Sequence, residues 1–250
     1  MVLTRTRPWS CKGWVAILAL WASTPAWAAA STAARAEITA DGIRFELVEQ
    51  QLDRGALQRS FRTATGTTLY RSVTRAGPGR LEVQVLEGHA SQRGSYRLEA
   101  GRLEVRDSEG QPLWAENLTQ PLCLPELSGE FVRAHWNRLA LGSEPLRCVT
   151  PIIKARKVAP LQWRRLPDGP RGERIVELGP GSLGMRFFMI PTRMTFSPDG
   201  TLLLAQQGQF EAPPRIDGRA SYLRGAAVFT QARLTEAWPS AAFGPAAAAP

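Results

Sequence analysis

This chain has few of the residues that most often bind metals or act in catalysis. Its 250 residues include two histidines and three cysteines, and no two cysteines have the close spacing of a redox or zinc motif. The Gly-x-Ser-x-Gly motif of hydrolases, a phosphate-binding loop and the spaced acidic residues of a calcium loop are also absent. We therefore expect no metal and no cofactor.

Long apolar runs are missing as well. The main apolar run, at residues 14–22, is too short to span a bilayer. Basic residues precede it at Arg5, Arg7 and Lys12, and the small-x-small sequence Ala26-Trp27-Ala28 follows it. This pattern predicts a cleavable signal peptide at residues 1–28. The expected mature protein is periplasmic and has no transmembrane span.

Lysine is scarce and the charges are mixed. Only Lys154 and Lys157 follow the predicted signal peptide, whereas arginine, alanine, glycine and proline are abundant, which is typical of a GC-rich bacterial genome. Removing residues 1–28 leaves 28 basic against 22 acidic side chains, and the two signs are interspersed along the chain. Because no basic run could follow a phosphate backbone, we expect no nucleic-acid partner.

Two cysteines follow the predicted signal peptide, Cys123 and Cys148. An oxidising compartment favours a disulfide between them, which would stabilise the fold by about 3 kcal/mol in the loop-entropy model. A redox or metal pair is the alternative, but no suitable spacing supports it.

Alternation of apolar and polar residues is the main structural signal. It recurs at residues 43–47, 81–85 and 103–106, with Gly, Pro and Asp turns between the runs. Three consecutive strands are expected from Ser95 to Trp114, and a long hairpin from Met185 to Gln209 that folds at Ser197–Gly200. The prediction is a mainly β (α+β) fold with a curved or partly closed antiparallel sheet.

One segment has helical periodicity instead. Apolar residues recur at helical spacing from Ser128 to Leu141, with Ser128 as a predicted N-cap and Gly142 at the end. We expect a single helix at about residues 129–141, packed on the sheet and flanked by the two cysteines. Around it, the predicted organisation is a flexible leader at 29–35, a single β domain at 36–237 and a disordered Ala/Pro tail at 238–250.

The predicted hairpin contains a cluster of methionine and phenylalanine. Such side chains suit an adaptable apolar cavity, although they could equally form ordinary core. The candidate lining residues for a ligand are Trp136, Phe187, Met189, Met194 and Phe196. His135 is a candidate catalytic residue or, alternatively, a packing histidine, since no nucleophile motif accompanies it.

Residues 131–139, a proline-containing segment near Pro151 and residues 201–208 resemble a group of secreted proteobacterial proteins without an assigned activity. The arrangement over residues 36–235 is also similar to periplasmic lipoprotein carriers of the LolA/LolB type. That resemblance implies a curved antiparallel sheet closed by helices over an apolar cavity. This chain differs from those carriers in having one clear helix where they use several.

These patterns predict a non-enzymatic periplasmic protein that binds a hydrophobic ligand, such as a lipid, or an envelope protein. The alternatives are an envelope scaffold or assembly protein without a cavity and, third, a hydrolase that uses His135.

Overall fold

The architecture is taken from a computed structural model, which describes residues 31–40, 43–52, 56–88, 93–184, 189–210, 223–231 and 238–245. The predicted signal peptide and Phe187 lie outside these residues. No helix within the described ranges is both long and apolar enough to cross a membrane.

Over the described ranges, fourteen antiparallel strands form one sheet. In chain order they are β1 Ser31–Ala40, β2 Ile43–Gln51, β3 Ala56–Thr63, β4 Thr68–Gly77, β5 Arg80–Glu87, β6 Gly94–Glu99, β7 Arg102–Arg106, β8 Pro112–Asn117, β9 Leu146–Ile152, β10 Lys157–Arg165, β11 Arg174–Pro180, β12 Thr192–Phe196, β13 Leu203–Phe210 and β14 Leu223–Gln231. The predicted triple of strands, now β6 to β8, and the hairpin of β12 and β13 are both present.

The sheet consists of two meanders, β1 to β8 and β9 to β14, which meet where the first strand of the chain pairs with the last. Its strand order is β8-β7-β6-β5-β4-β3-β2-β1-β14-β13-β12-β11-β10-β9, so β1 pairs with β14 and connects the two runs. Strands β8 and β9 are its edges, and the helical segment of the chain leads from one to the other. The predicted mainly β antiparallel fold is confirmed, and the sheet is not closed.

One face of the sheet, the inner face, carries the core. Alternation places Val176 and Leu178 of β11 on this face and Glu177 on the opposite, outer face. Residues from both ends of the sheet, including Val105 of β7 and Cys148 of β9, join one buried cluster. The sheet therefore wraps around a single core.

The helical segment packs on the inner face but is shorter and more broken than predicted. A 3₁₀ turn, Pro125–Leu127, leads into α1 (Ser128–Ala134), and α2 (Trp136–Leu139) follows. Ser128 is not an N-cap, since its hydroxyl donates to the carbonyl of Pro125 at 3.1 Å. The helix breaks at His135 (φ −115°, ψ 24°), whose ring Nδ1 lies 2.9 Å from the Phe131 carbonyl that also receives the His135 amide.

The predicted disulfide is present between Cys123 and Cys148, whose Cα atoms are 5.8 Å apart. Backbone hydrogen bonds reinforce the link, because the Cys123 amide donates to Val149 and the Val149 amide donates to Pro121. The bridge therefore ties the start of the helical segment to the edge strand β9.

The two predicted flexible ends differ from the structure. Residues 31–35 of the predicted leader belong to β1. The predicted disordered tail is wrong for residues 238–245, because Ser240–Phe243 form a 3₁₀ helix in which Phe243 is fully buried. Its ring packs 5.2 Å from that of Phe131, and its carbonyl accepts the amide of Leu122. Two aromatic side chains, Phe243 and its neighbour Trp238 (ring centroids 6.3 Å apart), pack on the core and order this turn.

Candidate functional site

The predicted ligand-lining residues separate into two places. Met194 and Phe196 are 1% and 0% exposed on the inner face, where Trp136 packs edge-on against Phe196 with ring centroids 5.6 Å apart. The same indole lies over Gly200, where a Cβ atom would come within 2.6 Å of it. Trp136, Met194 and Phe196 pack together as core, whereas Met189 both packs against the core and lines a cavity. Ligand contact by these side chains stays a prediction.

His135 lies in an aromatic environment. Its ring stacks on Phe131 at 4.4 Å and lies 6.0 Å from the ring of Phe243. Burial is the main cause that lowers its pKa, while the contact with the Phe131 carbonyl opposes that shift. The stacked ring and the bond to its own helix fit the packing interpretation of His135 better than the catalytic one.

A row of side chains, charged or polar on four strands and an alanine on the fifth, crosses the outer face. Arg164 of β10 is directly opposite Glu177 of β11, which is in turn opposite Arg193 of β12. Gln207 and Ala226 continue the row on β13 and β14. Neighbouring side chains in such a row are close enough to pair across the strands.

Glu177 lies at the centre of this row between two arginines. Arg164 Nε donates to Oε1 at 3.0 Å and Arg193 Nε donates to Oε2 at 2.7 Å, so both carboxylate oxygens are engaged. The side chain of Glu177 is only 4% exposed, because the two longer arginine side chains cover it. Burial alone would raise the pKa of Glu177, but the bonds and charges of Arg193 and Arg164 more than offset it and lower that pKa. Glu177 is therefore ionised at neutral pH.

Two adjoining cavities lie on the outer face and share Glu177 and Pro191. The larger, of about 590 Å³, is lined by Glu177, Ile190, Pro191, Arg193, Gln207, Gly208, Arg224, Gly225 and Ala226. The smaller, of about 440 Å³, is lined by Gln162, Arg164, Glu177, Gly179, Pro180, Met189 and Pro191. We refer to the two together as the outer groove. Both volumes fall in the range of about 300–1,000 Å³ that small-molecule sites commonly have.

The outer groove exists because small residues occupy its floor. Ala226, opposite Gln207, is the small outward residue of β14 here, and the backbones of Gly208 and Gly225 also line the larger cavity. Gly208 has a positive φ of 126°, and a Cβ there would meet the Pro191 carbonyl at 2.3 Å. Glycine is therefore required for residues 189–191 to pass beside β13 and form an apolar wall. A Cβ added at Gly179, by contrast, would meet no atom within 4 Å.

The inner face holds a second group of ionisable residues, the inner charged cluster, which consists of Glu49, Arg59, Tyr70, Glu126 and Glu130. Arg59 Nη1 donates to the Glu126 carbonyl at 2.8 Å, and its Nε lies 3.6 Å from Glu49 Oε1. The Tyr70 hydroxyl donates to Glu126 Oε1 at 3.0 Å. All five residues are less than one-tenth exposed, and none lines the outer groove.

Glu130 is the most strongly perturbed group in the inner charged cluster. Its burial, with the negative charge of Glu49 as a second cause, raises its pKa from 4.5 to about 7, against the opposing charges of Arg59 and Arg133. This cluster joins α1 to strands β2 to β4, since Glu49, Arg59 and Tyr70 belong to the sheet. Its closed, fully packed position indicates a role in stability.

Sequence reasoning missed the outer groove and identified only Met189 among its lining residues. The alternation in β10 to β12 does place Arg164, Glu177 and Arg193 on one face, but their alignment depends on the register of three strands. Within the portion of the chain that the structure describes, no group of His, Cys, Asp and Glu side chains could hold a metal ion. Comparison with known families, curated proteins and solved structures finds no match for this chain.

Proposed function

We propose that this protein is a non-enzymatic, extracytoplasmic binding protein and that its hydrophobic ligand lies in the outer groove. The observation that carries the proposal is the pair of cavities that adjoin at Glu177 and Pro191. An extended ligand would cross strands β10 to β14 and pass Pro191 on the way.

The apolar part of such a ligand would contact the wall of the outer groove. Met189, Ile190, Pro191 and Pro180 supply this wall, and the unbranched thioether of Met189 adapts to chains of different shape. Burying the methylene groups of a ligand here is favourable by about 0.8 kcal/mol for each group. A few such groups suffice for a measurable affinity.

The location of the proposed site differs from that implied by the resemblance to LolA/LolB-type carriers. Those carriers would hold their ligand between the sheet and its helices. Here Phe131, Trp163 and Phe243 fill that space and are fully buried, with Phe131 and Phe243 in edge contact. The small residues on the outer face leave the room that the inner face lacks.

The extracytoplasmic part of the proposal draws on two features. The Cys123–Cys148 disulfide is typical of proteins in an oxidising compartment, and the N-terminal sequence has the pattern of a secretory signal. Together they support a periplasmic location for the protein.

Native mass spectrometry with lipid extraction tests the function directly, on protein released from the periplasm under mild conditions. We expect a reproducible adduct of a few hundred daltons that extraction identifies as a lipid. A double variant, Gly179→Leu with Ala226→Leu, would fill both cavities and should lose the adduct. A matched control is Gly77→Leu, since Gly77 also has open space around its Cβ position but lies outside the outer groove.

Three outcomes would contradict the proposal. A protein that carries no adduct and is instead recovered with an envelope protein would support the scaffold alternative. An adduct that survives in the double variant as well as in the control would place the ligand away from the outer groove. A turnover abolished by His135→Ala would revive the hydrolase alternative.

A further inference from the structure

The charges around the outer groove are unequal. Among the residues that the structure describes, its lining includes three arginines, Arg164, Arg193 and Arg224, and one carboxylate, that of Glu177. Arg164 and Arg193 share that carboxylate through their Nε atoms. The groove therefore has an excess of positive charge beside an apolar wall.

Arg224 contributes most to this excess of positive charge. It lies on β14 next to the larger cavity, opposite Gln209 in the register of the sheet, and is exposed. Arg224 forms no ion pair with another residue of the described ranges. A guanidinium group has five N–H donors in a planar fork, which suits the two oxygens of a carboxylate or phosphate.

Arg193 adds a second group of donors. Its Nε donates to Glu177, and Arg193 lines the same cavity as Arg224. Glu177 therefore orients Arg193 at the edge of the cavity that Arg224 also borders. An anion placed between them would meet donors from β12 and β14.

We infer that the ligand of the outer groove is an anionic amphiphile with an acyl chain, whose acidic head group is held by Arg224 and Arg193. This inference rests on the proposed function and specifies the class of ligand. The chain would lie along Met189, Ile190 and Pro191, and Pro191 lines both cavities. Charge and apolar contact are thus provided side by side in one continuous groove.

A fluorescent fatty acid, cis-parinarate, and its uncharged methyl ester provide matched probes on the full-length protein. We expect cis-parinarate to bind about tenfold more tightly than the ester, equivalent to about 1.4 kcal/mol. Its affinity should also fall with added salt, whereas that of the ester should not. Arg224→Gln should remove most of this tenfold preference for the acid over the ester.

Arg102→Gln is the matched control, because Arg102 is also exposed on a strand but lies outside the outer groove. Arg224→Lys should retain part of the preference, since it keeps the charge and loses the fork. Circular dichroism of each variant checks that the sheet is retained.

The outcomes separate the two proposals. Equal binding of acid and ester, abolished by filling the groove with Gly179→Leu and Ala226→Leu, would overturn the anionic ligand and leave the hydrophobic one standing. An Arg224→Gln variant that behaves like Arg102→Gln would overturn it too. If neither probe binds the native protein, both the proposed function and this inference fail.

Discussion

Two buried glutamates in this protein have pKa values that shift in opposite directions. In the outer groove, Glu177 is held between Arg164 and Arg193 and its pKa is lowered. In the inner charged cluster, Glu130 lies near Glu49 and Arg59, and its pKa is raised to about 7. Burial raises the pKa at both sites, so the ratio of cations to carboxylates decides the direction.

The two sites also differ in how far their arginines are exposed. The side chains of Arg164 and Arg193 are 61% and 57% exposed, whereas that of Arg59 is 5% exposed. Water screens the outer ion pairs and leaves their arginines accessible to a ligand. The buried guanidinium of Arg59 stabilises the fold, because its removal would leave uncompensated negative charge on buried carboxylates. The comparison therefore separates a binding surface from a stabilising cluster.

The largest effect on stability is expected from replacing Arg59 with methionine. The substitution removes a buried guanidinium that lies 3.6 Å from Glu49 and donates to the Glu126 carbonyl at 2.8 Å. The free energy of unfolding should fall by about 3–5 kcal/mol, as measured by urea denaturation. Arg75→Met, at an exposed position of β4, should change it by no more than about 0.5 kcal/mol. Equal effects of the two substitutions would refute the distinction between buried and exposed arginines.

The pH dependence of stability should reveal Glu130. Between pH 4.5 and about 7, the folded protein keeps a proton on Glu130 that the unfolded chain has released. The free energy of unfolding should therefore fall as the pH rises through this window, by up to about 3 kcal/mol. Glu130→Gln should flatten this part of the profile in urea titrations at several pH values. Parallel profiles for the native protein and the variant would contradict the raised pKa.

Glu177 should give the native protein a smaller and opposite dependence of stability on pH, which Glu177→Gln should remove. The pKa of Glu177 is lowered, so its stabilising contribution is present above the ordinary carboxyl pKa and is lost as the pH falls through the folded value. Because both arginines are more than half exposed, the variant should lose no more than about 1 kcal/mol at neutral pH. Its affinity for cis-parinarate should increase, since the groove becomes more positive. A reduced affinity would show that orienting Arg193 matters more than the net charge.

Filling the outer groove should have the smallest effect on stability. At Gly179 an added side chain points into open space, and Ala226 is exposed on the same face. The double variant Gly179→Leu with Ala226→Leu should thus keep the free energy of unfolding within about 0.5 kcal/mol of the native value while losing the ligand. Thermal unfolding followed by circular dichroism provides the check. A large destabilisation would mean that the small residues serve the fold itself.

Much of the fold could be predicted from the sequence because alternation and turn residues are local signals. They identified the strand triple β6 to β8, the hairpin folded at Ser197–Gly200 and the disulfide. The sequence did not predict the ordered C-terminal turn, because its local composition is rich in alanine and proline. The burial of Phe243 depends on contact with Phe131, which is distant in the sequence. The break at His135 likewise depends on a side-chain contact within the helix.

The candidate site was less predictable from the sequence, because the space in the outer groove comes from small residues and not from a recognisable motif. Gly208, Gly225 and Ala226 come together at the larger cavity only when β13 and β14 pair in this register. Met194 and Phe196 alternate as core residues do, and periodicity alone does not distinguish core from a cavity lining. The sequence shows composition along each strand, whereas the site arises from alignment across five strands.

Photo-crosslinking with a diazirine-bearing fatty acid tests most directly whether the outer groove holds the ligand. Bound probe is irradiated on the native protein, and tandem mass spectrometry of the digested protein identifies the labelled residues. We predict labels at Met189–Arg193 and Arg224–Ala226, with loss of both in the groove-filling double variant. Labels at Trp136, Met194 or Phe196 would contradict the account and place the ligand on the inner face.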